Sequence, residues 1–144
     1  MDVVENFHDW TASEWIRRIP LDIEDDRVSL WDLLGIAGGL GLDTATRVEF
    51  ISHCLRSLLD AGAVPVEPTM WAWPPFRRTD RFGTKRDEIV ENVIADWQAR
   101  GGGDLEWGEY PFTFPENFEI QDNAEWRCVN EARLRRLFPE LDWD

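Results

Sequence analysis

Apolar residues recur with helical spacing through residues 43–60. Val48, Ile51, Leu55, Leu58 and Leu59 share one side, and Glu49, Ser52, Arg56 and Asp60 the other. The pattern predicts an amphipathic helix begun by Asp43 or Thr44 and stopped by Gly62, with an extended exit over 63–66 where Pro65 favours a sheet edge. Thr11 and Glu14 have capping-box spacing ahead of Trp15, Ile16 and Ile19, which predicts a short helix over 11–19 ended by Pro20. Ser29 and Asp32 open a second helix over 30–38, with Leu30, Leu33, Leu34 and Ala37 inward, and Gly35, Gly38, Gly39 and Gly41 lead into a turn. A further helix is predicted over 86–100. It starts at Thr84, turns Ile89, Val90, Val93, Ile94 and Trp97 inward, and ends at the three glycines 101–103. Those glycines follow a helix rather than opening one, so they read as a stop and not as a phosphate cradle.

Residues 67–86 hold Pro68, Pro74, Pro75 and Gly83 and read as a long loop, or a loop containing a short strand. The alternation at 110–114 predicts a short strand between prolines. Near the end two readings stand. In one, 125–129 is a strand and Asn130 caps a helix. In the other, a helix starts near Asn123 with Trp126, Val129, Leu134 and Leu137 inward. The expected fold is α+β: a mainly helical single domain over 1–144 with a small antiparallel sheet from 63–66, 110–114 and, in one reading, 125–129. Two helices, a glycine-rich turn, a third helix and an extended exit give it a helix-turn-helix-like helical core.

At 144 residues with 43% apolar content, the chain can build one real core. Its charge changes the functional picture. With 29 acidic and 15 basic residues the formal net charge is -14, which repels nucleic-acid phosphates and steers basic partners inward. The polar side of the 43–60 helix offers Glu49, Ser52, His53, Arg56, Ser57 and Asp60, too nearly neutral to read DNA. The expectation is no nucleic-acid partner. An acidic start without an apolar run and the lack of any long apolar stretch lead us to expect a cytoplasmic protein with no membrane partner. Cys54 and Cys128 read as buried thiols. With two histidines and no HExxH, CxxC, P-loop or GxSxG, we expect no metal, no cofactor, no catalytic residues and a non-enzymatic role.

Residues 104–125 carry the clearest interaction signal. Asp104, Glu106, Glu109, Glu116, Glu119, Asp122 and Glu125 alternate there with Trp107, Tyr110, Phe112, Phe114 and Phe118, without one lysine or arginine. Aromatics supply buried area and carboxylates supply orientation and association rate against a basic partner. The expected contact set is Asp104, Glu106, Trp107, Glu109, Tyr110, Glu116, Glu119 and Asp122, with Trp71 and Trp73 as secondary anchors. The plainer alternative is a solvated acidic surface over an aromatic core strand. Around Trp71, Trp73 and Phe76 the arginines 77, 78, 81 and 86 and Lys85 form a basic island. It reads either as a hot spot or as tryptophans over the core with arginines paired to acidic neighbours.

The succession SLWDLLGIAGGL at 29–40, the helix ending LLDAGA at 58–63, and EIVE at 88–91 leading to Trp97 and a glycine-rich stop resemble small acidic immunity proteins. Those are encoded beside bacterial polymorphic toxins of contact-dependent, Rhs or type VI-delivered systems. The likeness covers about residues 28–115. It implies a cytosolic protein that binds a cognate toxin domain and occludes its basic active-site cleft or an essential surface. Two alternatives come from other classes. A helix-turn-helix-like transcriptional regulator would need a basic face. A small carboxylate-dependent enzyme would need two carboxylates facing each other with raised pKa values.

Overall fold

The computed structural model describes residues 10–70 and 72–141. Trp71, named above as an anchor, lies outside the described residues. Helix α1 (Ala12–Arg18) starts where the Thr11 hydroxyl accepts from the Glu14 N–H, and a 3-10 turn (Ile19–Asp22) follows. Strand β1 (Val28–Ser29) runs into α2 (Leu30–Gly39) through a complete capping box between Ser29 and Asp32. Asp43 caps the long α3 (Thr44–Asp60), and β2 (Val64–Pro68), β3 (Phe76–Arg78) and α4 (Arg86–Ala99) come next. Strand β4 (Pro111–Thr113), a single turn α5 (Glu116–Glu119) and α6 (Asn123–Leu137) complete the chain. The architecture is α+β, mainly helical, in one compact domain.

Helix α3 is the hub, packed against α1, α2 and α4. Phe50, Ile51, Cys54, Leu55 and Leu58 are buried along it. Phe50 and Cys54 thus widen the stripe, while Val48 and Leu59 are half-buried at its edges. Leu30, Leu33 and Ala37 of α2 and Ile89, Val90, Val93, Ile94 and Trp97 of α4 close on the same core. The glycines after α4 do stop the helix: the Gly102 N–H donates to Trp97 O, and the Trp97 indole N–H reaches Gly103 O at 2.9 Å. Its start differs from expectation. Lys85 holds the cap position without a side-chain bond, and Glu88 accepts from the Thr84 N–H.

The sheet is antiparallel in the order β1-β4-β2-β3. Phe112 stands opposite both Val28 and Pro65, which makes β4 an inner strand. Pro65 was expected at an edge, yet β2 is inner as well. Pairing with β4 covers Val64 and Pro65, and pairing with β3 covers Val66 to Pro68, so the missing N–H falls where the ladder changes sides. The third strand expected in one reading of 125–129 is helix instead: Asp122 caps α6, accepting from the Glu125 N–H.

No residue of α6 is buried, and Val129 and Cys128 are exposed, contrary to expectation. Polar anchors hold the helix. The Trp126 indole donates to Asn117 Oδ1 at 2.6 Å, and the Arg133 guanidinium stacks 4.2 Å over Phe114 and pairs with the buried Glu116. Glu116 was expected on the contact surface, but its side chain is 1% exposed and committed to Arg133. Truncating one partner of such a pair leaves the other buried and uncompensated. Arg133→Ala should therefore lower stability by about 3–5 kcal/mol in urea unfolding, while the double change Glu116→Leu with Arg133→Leu recovers much of it. A loss below about 1 kcal/mol in the single variant would show that the pair does not anchor α6.

Candidate functional site

Five large apolar side chains are exposed among the described residues: Trp31, Met70, Trp73, Trp107 and Val129. Met70, Trp73 and Trp107 gather at one groove of about 530 Å³. That clustering distinguishes a contact surface from singly scattered apolar residues. The groove joins two segments over thirty residues apart in sequence, the tip of the β2–β3 hairpin and the turn before β4.

Hydrogen bonds flank the hairpin tip among its described residues. β2 and β3 pair from Val66 opposite Arg78 to Pro68 opposite Phe76. Beyond them the Thr69 N–H donates to Pro75 O at 3.0 Å, and the Thr69 hydroxyl bonds the carbonyls of Ala72 and Pro74. Pro74, joined to Trp73 by a cis peptide, and Pro75 restrict the tip further. Met70 sits at φ 59, a left-handed conformation costly for a side chain of its size. Phe76 forms the floor and roots it in the small apolar cluster with Val66 and Phe118.

Across the groove Trp107 is 70% exposed yet positioned. Glu109 holds its turn: one carboxylate oxygen accepts from the Glu106 N–H at 2.8 Å, and the other from Arg100 Nη2 at 2.7 Å. Gly108 at φ +80 lets the backbone turn, and the Arg27 guanidinium lies 3.3 Å from where a Cβ there would stand. Arg27 stacks 4.4 Å from the Trp107 ring and 5.9 Å from Phe76, and bonds Asp26 at 2.8 Å. It is a mostly buried wedge that props the indole open toward solvent. Beyond Trp107 lies a notch of about 110 Å³ lined by Asp26, Arg27, Asp32 and Gly108.

The expected contact residues divide. Trp73 and Trp107 come together, with Glu106 exposed beside Trp107 and Asp104 exposed farther along the loop. Glu109 is half-buried and serves the turn. Tyr110, 7% exposed, points inward, so like Glu116 it does not belong to the surface. Its hydroxyl donates to Asp96 and accepts from Arg100 at 3.1 Å, and Arg81 also reaches Asp96. Glu119 lies 3.9 Å from Arg78, and Asp122 is the α6 cap. Asp104, Glu106 and Glu125 make no ion pair among the described residues. The segment is therefore less of a clamp than its composition suggested, because arginines from elsewhere take up part of its charge. The basic island is spent likewise: Arg77 pairs with Glu67, Arg81 with Asp96, and Arg86 with Asp60 and Asp87.

Met70, Phe76 and Arg27 complete the groove, and the sequence reading gave no role to Met70 or Arg27. Their signal was weak: a lone arginine after LDIEDD, and a methionine between prolines and tryptophans. On the polar side of α3, Glu49, His53 and Asp60 are exposed, and Arg56 is paired to Asp87, which is no basic face. Asp43, Asp87, Glu109 and Glu140 are held below the usual carboxylate range, Asp43 by amides at its helix start and Asp87 and Glu109 chiefly by arginines. Burial pushes the Tyr110 hydroxyl up. Among the described residues no group of three histidine, cysteine or carboxylate side chains could hold a metal ion, and no helix is long and apolar enough to cross a membrane. No protein-family model matches the chain, and no curated protein or solved structure shows significant similarity to it.

The Arg100 hydrogen bond is the first cause of the depressed Glu109 pKa, followed by the Glu106 amide. The sign follows from the lowered folded value: the stabilisation is present above the unfolded glutamate pKa and lost as pH falls through the folded one. In an NMR titration the Glu106 amide and the Trp107 indole signals should move together at a pH below the ordinary glutamate range. Glu109→Gln should remove that step, and independent movement of the two signals would show that Glu109 does not set the turn.

Proposed function

We propose that this chain is a stoichiometric binding protein for a basic protein partner and neutralises a cognate toxin domain, as its resemblance to acidic immunity proteins implies. One observation carries the reading: Trp73 and Trp107 line one apolar groove on a molecule of net charge -14. Exposed tryptophans cost apolar hydration when free and supply concentrated binding energy when a partner covers them. The surrounding negative charge speeds encounter with a positive cleft and disfavours nucleic acid. The regulator alternative gains nothing from α3, whose Arg56 is already paired. The enzyme alternative gains nothing from the carboxylates, whose resolved pKa shifts are downward. The inhibitor acts by occlusion, covering the partner's cleft or an essential neighbouring surface. A cytoplasmic site of action belongs to the same proposal.

If the gene immediately upstream encodes a toxin domain, as the proposal requires, co-expression with it should prevent growth arrest and yield a 1:1 complex. Trp107→Ala and Trp73→Ala should each weaken that complex by about 30-fold, the hot-spot scale of roughly 2 kcal/mol, mainly through dissociation. Glu106→Lys should instead slow association and flatten its salt dependence. No complex, or one indifferent to both tryptophans, would remove this groove from the function.

A further inference from the structure

The groove does not stand alone. Trp107 and Arg27 line both the apolar groove and the smaller notch, so one indole divides an apolar compartment from one that holds Asp26 and Asp32. Within the notch two carboxylates face one guanidinium, a net charge of -1 on formal counts. Asp32 spends one carboxylate oxygen on the Ser29 amide and hydroxyl, and Asp26 shares its charge with Arg27 while 65% exposed. Accepting capacity therefore remains on the solvent side.

From this pairing we infer that the two compartments together receive an extended segment of a basic protein in which an aliphatic or prolyl side chain stands close to an arginine or lysine. The inference rests on the groove being the contact surface proposed above and names what it recognises. The apolar side chain enters between Trp73 and Trp107, where aromatic and proline walls suit a rigid ring or a branched aliphatic group. The cation passes to the other side of the Trp107 indole and meets Asp26 and Asp32. In an extended segment, side chains two residues apart project to the same side about 7 Å apart, so one pair can straddle the indole.

Other occupants fit less well. A sugar needs several polar partners around its ring, and Arg27, already bonded to Asp26, is the charged side chain of the groove lining. A second copy of this chain carries the same net charge of -14, which opposes self-association.

The test uses the full chain and a synthetic peptide, acetyl-PLPRP-amide, followed by the Trp73 and Trp107 indole signals and the Asp26 and Arg27 amide signals in NMR titrations. Saturable shifts at these four positions are expected. Replacing the peptide's arginine by glutamate, or its leucine by glycine, should weaken binding about tenfold or more. Asp26→Asn, which keeps the backbone carbonyl used by Thr113 and Asn117, should weaken the arginine peptide several-fold without shifting the thermal midpoint. Equal response to the arginine and glutamate peptides, indifference to Asp26→Asn, or no shift at these signals would overturn the inference. So would dimer formation through this face, or its binding to phosphatidylcholine vesicles in place of the peptide. If the wild-type chain neutralises a cognate toxin domain while the peptide gives no response, the inhibitor reading stands and this recognition element falls.

Discussion

Self-repulsion is the constraint under which this molecule is built. A chain with 29 acidic and 15 basic residues must close on itself without stranding its few cations. The arginines resolve it by acting as fasteners between segments far apart in sequence. Arg100 ties the end of α4 to Glu109, Arg133 ties α6 to Glu116, and Arg86 ties the start of α4 to Asp60 at the end of α3. The largely exposed pairs of Arg100 and Arg86 contribute little energy one by one, whereas the Arg133–Glu116 pair is buried and costly to break. Their structural effect is placement, most of all for α6, which buries no residue and is held through Arg133.

The same economy shapes the candidate contact surface. Trp107 is displayed because two arginines support it indirectly, Arg100 through Glu109 and Arg27 by stacking against the ring. Trp73 is displayed because prolines and the Thr69 bonds close the hairpin tip beneath it. Both tryptophans stand on framework rooted in buried residues, Phe76 on one side and Tyr110 on the other. Rigid presentation lowers the ordering cost of association, which otherwise cancels much of what apolar burial provides. Under the proposed function, such an aromatic pair on a chain of net charge -14 suits fast encounter with a basic target and slow release.

Local pattern determined the helices. The Thr11 cap, the capping box at Ser29, the stripe of α3, and the glycine stop of α4 depend on neighbours a few residues away, so they can be read from the chain alone; of the expected box at Thr11 only the cap forms, because Glu14 turns to Arg18. The α+β class and the inclusion of 64–66 and 111–113 in one antiparallel sheet came from the same source. Tertiary contacts decided the rest. Pro65 became an inner-strand residue because two partner strands share β2 along its length, and 125–129 became helix because Asp122 caps it and Glu116 fixes it through Arg133. Which carboxylates of the acidic stretch are tied up also depended on arginines 78, 100 and 133, all outside it, since a charge is screened or committed by what lies near it in space. For the same reason the groove itself was invisible in one dimension: it exists only where the fold brings residue 73, residue 107 and the wedge of Arg27 to one place.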